Sequence, residues 1–184
     1  MEIYRTIAIE TENIMIGDRI EVALEGIGNF LATVHAVEDH RFLIIFDEYI
    51  TKRPMNEAWT NNGGFEASDL KKWMDTTLKS AFPEHLRNRL LELTLPSIGH
   101  FFGHEDSWCN ETFEPDTDEQ LPLMKDRANR VAYRKNQREW GWLRNATKKN
   151  ISSAYFALVS NGGSSAYYAA SDSDGVRPAA WLDR

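Results

Sequence analysis

Cysteine is nearly absent from this chain, and Cys109 is the only one. A single thiol cannot form an intrachain disulfide, which excludes a disulfide-stabilised scaffold and any site that needs two cysteines. No apolar run approaches the roughly 18 residues that a membrane-spanning helix requires. Residues 1–18 also lack a basic stretch followed by an apolar one, so we expect a soluble protein without a signal peptide and without a membrane partner.

The sequence also lacks the short motifs of several enzyme classes. It has no G-x-S-x-G elbow, no phosphate-binding P-loop and no G-x-G-x-x-G turn. Its acidic residues are too numerous to nominate a catalytic pair. A net charge of −7 does not favour nucleic acid or acidic membranes as partners. Enzymatic activity stays open, but these absences favour a non-catalytic protein.

Bulky apolar residues are abundant. Hydrophobic residues make up 42% of the 184 positions and include six tryptophans and nine phenylalanines. That content is sufficient for a sizeable core, and the length predicts a single domain over residues 1–184.

Hydrophobic periodicity predicts strands first and helices next. Segments 19–24, 30–37 and 41–46 predict strands within residues 1–50, with FLIIF as a central strand. Residues 68–95 predict a helix pair in which Ser68 or Asp69 caps the first helix and Pro83 begins the second, PEHLRNRLLEL. An irregular loop region covers 96–124. Residues 140–184 predict the strand WGWLR and a meander of AYFALVS, SSAYYAAS and VRPAAWL. This order indicates an α+β fold.

Two motifs, WGWLRNA at 140–146 and GVRPAAWL at 175–182, place an arginine among aromatic residues on predicted strands. Such an arginine tends to lie flat on a ring and to bind a carboxylate or backbone carbonyls. We expect Gly175 to form a turn, Arg177 to lie under a ring with a carboxylate partner, and Pro178 to interrupt the strand. The predicted structural residues are Trp142, Arg144, Gly175, Arg177, Pro178 and Trp181, the last returning to the core.

Metal ligands are a further class of candidate. The stretch HFFGHEDSWC contains His100, His104, Asp106 and Cys109, but its spacing matches no zinc pattern. The segments EPDTDEQ (114–120) and DSDG (172–175) offer carboxylates to calcium, although neither completes an EF-hand loop. We therefore expect no cofactor, with calcium at either segment as the alternative.

Charge is distributed unevenly, with acidic residues concentrated in 104–120 and basic residues in 125–149. One interpretation is that the two segments neutralise each other across the surface. The other is that the basic segment binds an acidic partner through Arg130, Arg134, Lys135 and Arg138.

The two arginine motifs, with an alternating strand and NGG between them, resemble a widespread uncharacterised bacterial and prophage family. That family has a W-W-L-R-S-P-like motif and a closing G-V-R-P-A segment. The resemblance covers about residues 15–183 and includes FLIIFDEYI, SDLKKWMDTTL and KSAFPEHLRNRLLE. The closing pattern is also similar to that of C-type-lectin-like domains of the formylglycine-generating-enzyme superfamily.

This resemblance implies a C-type-lectin-like twisted antiparallel sheet with two flanking helices and a long irregular loop region. The missing signal peptide, together with this resemblance, leads us to expect a cytoplasmic or phage virion-associated location, since phage components leave cells by lysis without a signal. The resemblance does not imply calcium-dependent sugar binding, because the E-P-N and W-N-D signals are missing, or formylglycine generation, because that chemistry needs two cysteines.

The function we expect is a non-catalytic binding or structural module of bacterial or prophage origin, with an unknown protein or glycan ligand, for example at a phage tail or a surface. Tyrosine, serine, glycine and asparagine make adaptable contacts in binding surfaces, but the same composition suits ordinary hairpins. The candidate binding residues are Trp59, Trp108, Tyr167, Tyr168, Asp172 and Asp174. The alternatives are an enzyme with its site in the 99–120 loop and an intracellular partner-binding protein that uses the basic segment 125–149.

Overall fold

Two five-stranded sheets form the framework of residues 13–184, the part of the chain that the computed structural model describes. Residues 1–12, which belong to the predicted N-terminal strand region and to the segment assessed for a signal peptide, lie outside it. The first sheet has the order β1 (Arg19–Leu24), β2 (Gly28–Val37), β3 (Arg41–Phe46), β12 (Ala179–Asp183), β5 (Leu90–Thr94). The second has the order β10 (Ser165–Ala169), β9 (Tyr155–Val159), β8 (Gly141–Ala146), β11 (Asp174–Val176), β4 (Thr51–Arg53). A separate hairpin contains β6 (Tyr133–Arg134) and β7 (Gln137–Arg138).

The helices are short, and within the described residues none is long and apolar enough to cross a membrane. Residues 69–81 form one continuous helix, made of α1 (Asp69–Trp73), a π-helical turn (Met74–Leu78) and α2 (Lys79–Ala81). The predicted cap is confirmed, since the Ser68 hydroxyl accepts a hydrogen bond from the Lys71 backbone N–H at 3.0 Å. The other helices are α3 (Glu84–Arg87), α4 (Ile98–Phe102), α5 (Ser107–Thr112) and α6 (Arg127–Arg130). The domain is therefore α+β.

Alternate residues of the strands face two hydrophobic cores. The helix-side core includes Phe42, Ile44, Trp142 and Phe156 from the sheets, packed with Leu70, Met74 and Leu78 from the long helix. The loop-side core includes Leu43, Ile45, Leu143, Ala157 and Val159, packed with Ile98, Phe101, Cys109 and Phe113 from α4, α5 and the segment that follows. Because β3 is buried on both faces, FLIIF occupies a central strand, as the sequence predicts.

The predicted second helix is wrong beyond its first turn. Only α3 is helical, and Leu90–Thr94 forms β5, which pairs antiparallel with β12. The leucines of PEHLRNRLLEL fit a helical spacing, but β12 is buried and needs a hydrogen-bonding partner on its free side. Tertiary pairing therefore overrides the local preference, and Leu91 is left 54% exposed.

The predicted three-strand meander is also wrong in its last step. The strand β10 pairs with β9, as expected. The segment VRPAAWL instead divides at Arg177 and Pro178. Its first part, in β11, pairs with β4 and β8 in the second sheet, whereas β12 pairs with β3 and β5 in the first. The predicted interruption at Pro178 is thus the point at which the chain passes from one sheet to the other.

The Arg177–Pro178 pair has a specific hydrogen-bonding role at this crossover. The Phe46 backbone N–H donates to the Pro178 carbonyl at 3.1 Å, but proline has no N–H with which to complete the reciprocal bond. The Arg177 Nε donates to the Phe46 carbonyl instead, at 2.6 Å. The side chain of one residue therefore replaces the backbone donor that its neighbour lacks.

The rest of the Arg177 guanidinium group is enclosed. One terminal nitrogen donates to the carbonyls of Asn129, at 3.2 Å, and Arg130, at 3.4 Å, at the end of α6. Its carbon lies 5.7 Å from the Phe101 ring centre. The expected ring contact is confirmed. The expected carboxylate partner is wrong, because the acceptors of Arg177 within residues 13–184 are backbone carbonyls.

Gly175 does not form the expected turn. It lies within β11, beside Gly141 of β8, and the Tyr49 ring covers both glycines. A Cβ atom on Gly175 would lie 2.6 Å from ring carbons of Tyr49 and 2.8 Å from the Trp140 carbonyl oxygen. The glycine is required for close packing rather than for a left-handed backbone.

Gly175→Ala should therefore lower the free energy of unfolding by about 1–3 kcal/mol, the usual cost of overpacking a core. Urea denaturation measures this, with Gly162→Ala as the control, because a Cβ there meets its nearest atom at an ordinary 3.6 Å. In a double-mutant cycle with Tyr49→Ala, the two costs should be less than additive. Strict additivity would show that the ring does not exclude the methyl group.

Arg177→Met should destabilise the fold by at least about 2 kcal/mol, because it leaves buried carbonyls without a donor. Arg177→Lys should also be destabilising, since one ammonium group cannot reproduce the planar geometry. The control is Arg138→Met, an exposed arginine that contacts the Tyr133 ring, with an expected cost of about 1 kcal/mol or less. Equal losses for Arg177→Met and Arg138→Met in chemical denaturation would refute the role assigned to Arg177.

Candidate functional site

Four aromatic side chains form a continuous row on the surface, which we call the aromatic strip: Trp59, Tyr155, Tyr167 and Trp108. The Trp59 and Tyr155 ring centres are 6.4 Å apart, those of Tyr155 and Tyr167 are 5.6 Å apart, and those of Tyr167 and Trp108 are 6.1 Å apart. The last two pairs are nearly parallel, at 20° and 13°. In these two stacked pairs the ring centres are farther apart than the about 3.5–4.0 Å of direct carbon contact, so the rings are offset and part of each face is uncovered by its partner. Trp59 instead meets Tyr155 edge-on, at 64°.

Four separate chain segments position the strip. Tyr155 on β9 and Tyr167 on β10 lie diagonally across the strand pair, on the loop-side face. Trp108 is on α5, where the Asp106 carboxylate caps the helix by accepting from the backbone N–H groups of Trp108 and Cys109.

Trp59 belongs to the 56–64 loop, in which Asn61 makes the bonds that reach the neighbouring strand. The Asn61 side-chain amide donates to the backbone carbonyls of Thr147, Ser152 and Tyr155 at 3.0–3.1 Å. The loop is thus fastened to the strand that carries its neighbouring ring. Hydrogen bonds and strand pairing therefore fix the backbone segments that carry the four rings of the strip.

The strip unites three of the predicted binding residues and excludes the other three. Tyr168 is 54% exposed but alternates to the opposite face of β10 from Tyr167. Asp172 and Asp174 are half-buried at and beyond the turn that follows β10. Tyr155 is the member that sequence reasoning missed, although its diagonal position to Tyr167 follows from the hairpin register once NGG is taken as the turn.

Asp174 is the most perturbed carboxyl group near the predicted surface. Burial raises its pKa to about 6, and the charges of Asp172 and Glu139 act in the same direction against that of Lys52. The Tyr49 hydroxyl lies near Asp174 and Glu139 and lacks a hydrogen-bond partner among the described residues. A carboxylate held in this environment costs stability when it is ionised.

The acidic loop 114–120 is held by the first arginine motif. Arg144 pairs with the Asp118 carboxylate, and the Asn145 side-chain amide donates to Asp116 at 2.8 Å. Asp116 also accepts from the Ser97 hydroxyl, the Gly99 N–H and the Asp118 N–H. Hydrogen-bond donors of the protein therefore already occupy the Asp116 carboxylate, which would be a ligand if calcium bound this loop. Calcium binding at this loop stays a prediction, as it does at 172–175.

The four candidate metal ligands of the HFFGHEDSWC stretch have separate positions and roles. His100 caps α4 together with Ser97, and burial lowers its pKa. The His104 ring contacts the Asp118 carbonyl at 2.8 Å, and Asp106 caps α5. Cys109 is buried, which raises the pKa of its thiol to about 11 and makes the reactive thiolate scarce. Within residues 13–184, no group of three or more such side chains is placed to hold a metal ion.

The four arginine and lysine candidates of the basic segment are partly half-buried and partly exposed. Arg130 donates to the Met124 carbonyl at 2.7 Å and lies over the Phe102 ring, and Arg134 lies 4.0 Å from Glu139. Lys135 and Arg138 are exposed on the β6–β7 hairpin. A role for this segment in binding an acidic partner stays a prediction.

A model of a family of unknown function, DUF6273, matches residues 39–184 of the chain. The chain belongs to the DUF6273 family. Comparison with curated proteins and with solved structures finds no match.

The DUF6273 match contains both arginine motifs and all four residues of the aromatic strip. It begins in the turn before β3, so β1 and β2 precede it, although both belong to the first sheet. The crossover at Arg177 and the anchoring of the acidic loop by Arg144 are therefore features of the matched region of this DUF6273 domain.

Asp174→Asn should stabilise the domain at pH 7–8. The folded carboxyl titrates near pH 6 and an unfolded one near 3.8, so the folded state binds the proton more tightly and loses stability as the pH rises from 4 to 6. The advantage of the variant should shrink as the pH falls toward 4. Urea denaturation across this range tests it, with exposed Asp183→Asn as the control. A constant difference between Asp174→Asn and the wild type at every pH would contradict this assignment.

Proposed function

We propose that this DUF6273 domain is a non-catalytic binding module whose ligand, a protein or a glycan, contacts the aromatic strip. The observation that carries the proposal is the row of rings itself: Trp59 is 66% exposed, Trp108 42% and Tyr167 37%. Contiguous exposed apolar surface is uncommon on a folded domain and marks sites of interaction. Tyrosine and tryptophan also lose little conformational entropy when they bind.

Other aromatic rings of the chain are covered by arginine side chains, and this contrast with the strip supports the proposal. Arginine side chains cover several of them, with Arg41 over Trp181 at 4.2 Å, Arg53 over Trp73 at 4.7 Å and Arg130 over Phe102 at 4.8 Å. Among the described residues, no arginine lies over a ring of the strip. The strip is therefore free to contact a ligand where comparable rings are covered.

The resemblance of the two arginine motifs to a bacterial and prophage family extends the proposal to the fold and the origin of the domain. We include in the proposal a C-type-lectin-like architecture and a prophage or bacterial origin, with a role at a phage tail or a surface. The mostly antiparallel sheets support this architecture, as does the long segment between β5 and β8, in which short helices and the β6–β7 hairpin replace the expected irregular loop. The enzyme alternative has less support, because its candidate residues have structural roles. His100 and Asp106 cap helices, Cys109 packs in the loop-side core, and His104 contacts the Asp118 carbonyl.

The test uses a glycan array and a displayed library of short peptides, followed by calorimetric titration of the best ligand. Trp59→Ala and Trp108→Ala should each weaken binding by at least about tenfold, as expected for central aromatic contacts. Trp140→Ala is the matched control, because this tryptophan is 41% exposed and lies outside the strip. It should leave the affinity within about twofold. A ligand that binds Trp59→Ala and Trp108→Ala as tightly as wild type would exclude the strip as its site.

A further inference from the structure

The outer edge of β10 offers backbone groups that pair with no other strand among the described residues. On its inner side, the strand pairs with β9. The Ser164 carbonyl and the Ala170 N–H bond toward β9, to Ser160 and Ala154. Because backbone groups alternate along an antiparallel strand, those of Ser165, Tyr167 and Ala169 point away from the sheet. Of these, the Ala169 carbonyl already accepts a hydrogen bond from the Asp172 N–H in the turn that follows. These groups form a template for another strand.

This edge lacks the protection that the other sheet edges carry. Proteins commonly guard an edge strand with charged residues, which disfavour pairing with another chain. In the two five-stranded sheets, the three other edge strands contain Arg19 and Glu21 in β1, Glu92 in β5, and Lys52 and Arg53 in β4. The strands of the separate hairpin also carry charge, at Arg134 and Arg138. The sequence of β10, SAYYA, contains no charged residue and no proline. It is the one edge strand of the described sheets that is open to pairing.

Opposite charges lie at the two ends of this edge. Arg127 donates to the Gly162 carbonyl at 2.6 Å and to the Ser164 hydroxyl at 2.7 Å, which places an exposed guanidinium group beside the start of β10. Asp172 follows the other end, where its N–H donates to the Ala169 carbonyl at 3.0 Å. The edge therefore runs from a positive end to a negative end across a neutral centre.

We propose that two copies of this domain associate through β10, antiparallel about a two-fold axis centred on Tyr167. In this register Ser165 of each copy lies opposite Ala169 of the other, and the outward backbone groups pair. The Ala169 carbonyl uses its second lone pair, since its first accepts from the Asp172 N–H. The antiparallel arrangement brings the Arg127 end of one copy to the Asp172 end of the other. The chain itself thus supplies the complementary charges, which is why a second copy fits this edge better than an unrelated peptide.

Dimerisation would also join the two aromatic strips. Residues directly opposite in an antiparallel pair have side chains on the same face, so the two Tyr167 rings would become neighbours. The dimer would present one longer aromatic surface with two-fold symmetry. This inference does not depend on the proposed ligand binding, since strand pairing uses backbone groups and the charges at the ends of β10.

Sedimentation equilibrium of the full chain, from low micromolar to several hundred micromolar, tests the proposal. Arg127→Glu and Asp172→Lys should each weaken dimerisation by about tenfold or more, because each places like charges together. The double variant restores opposite charges and should recover most of the affinity. The control, Lys135→Glu, makes the same change of charge as Arg127→Glu on the distant hairpin and should have little effect.

Ala169→Pro provides a second variant that keeps every ring of the strip. It removes an outward N–H that is not needed for pairing with β9, so the monomer should fold and the dimer should be lost. Thermal melting confirms folding of each variant, and ligand titration of Ala169→Pro separates loss of dimerisation from loss of the strip. A chain that stays monomeric throughout the concentration range overturns the proposal. So does a dimer that persists in both Ala169→Pro and the single charge variants.

Discussion

The passage of the chain from one sheet to the other depends on one side chain that acts as a backbone donor. Pro178 lets the strand change partners because it has no N–H, but the same property would leave the Phe46 carbonyl buried and unpaired. The Arg177 Nε fills that position at 2.6 Å. Burial of a cation is costly, and burial lowers the pKa of Arg177, so the group is retained only because several carbonyls and an aromatic ring surround it. The Arg-Pro pair is thus a single structural unit.

The buried charge also acts on a histidine in the neighbouring core. Burial lowers the pKa of His35, on β2, to about 3, and the nearby Arg177 guanidinium acts in the same direction. The imidazole therefore stays neutral beside the cation. The Tyr49 ring lies against Gly141 and Gly175 on the adjacent strands, which leaves no space for side chains there. The crossover, the neutral histidine and the paired glycines are consequences of the same dense junction between the sheets.

Local patterns predicted much of this architecture, and non-local pairing explains the errors. Strands β1, β3 and β9 and the Ser68-capped helix have short-range signals, either alternation or a 3.6-residue period with a cap. The segment LLELT carries leucines that suit a helix or a strand, and only the free side of β12 decides between them. In the sequence, Gly175 after DSD suggests a turn. The actual reason for the glycine is the Tyr49 ring, which comes from a distant part of the chain and cannot be inferred from the local sequence. For the candidate site, three of the four strip residues were predicted from composition. Their order could not be predicted, since it depends on the register of β9 with β10 and on the Asn61 anchor.

The residues that make the sequence motifs distinctive are not those available to a ligand. Trp142 is 1% exposed and donates from its indole N–H to the Arg53 carbonyl, and Arg177 is 5% exposed. Arg144 and Asn145 are occupied in holding the acidic loop. The exposed rings instead come from the 56–64 loop, α5 and the β9–β10 hairpin, whose positions are set by backbone and cap hydrogen bonds. Substitutions at the exposed rings therefore leave the crossover and both motifs intact. Such a division would allow the proposed binding surface to change without loss of the fold that supports it.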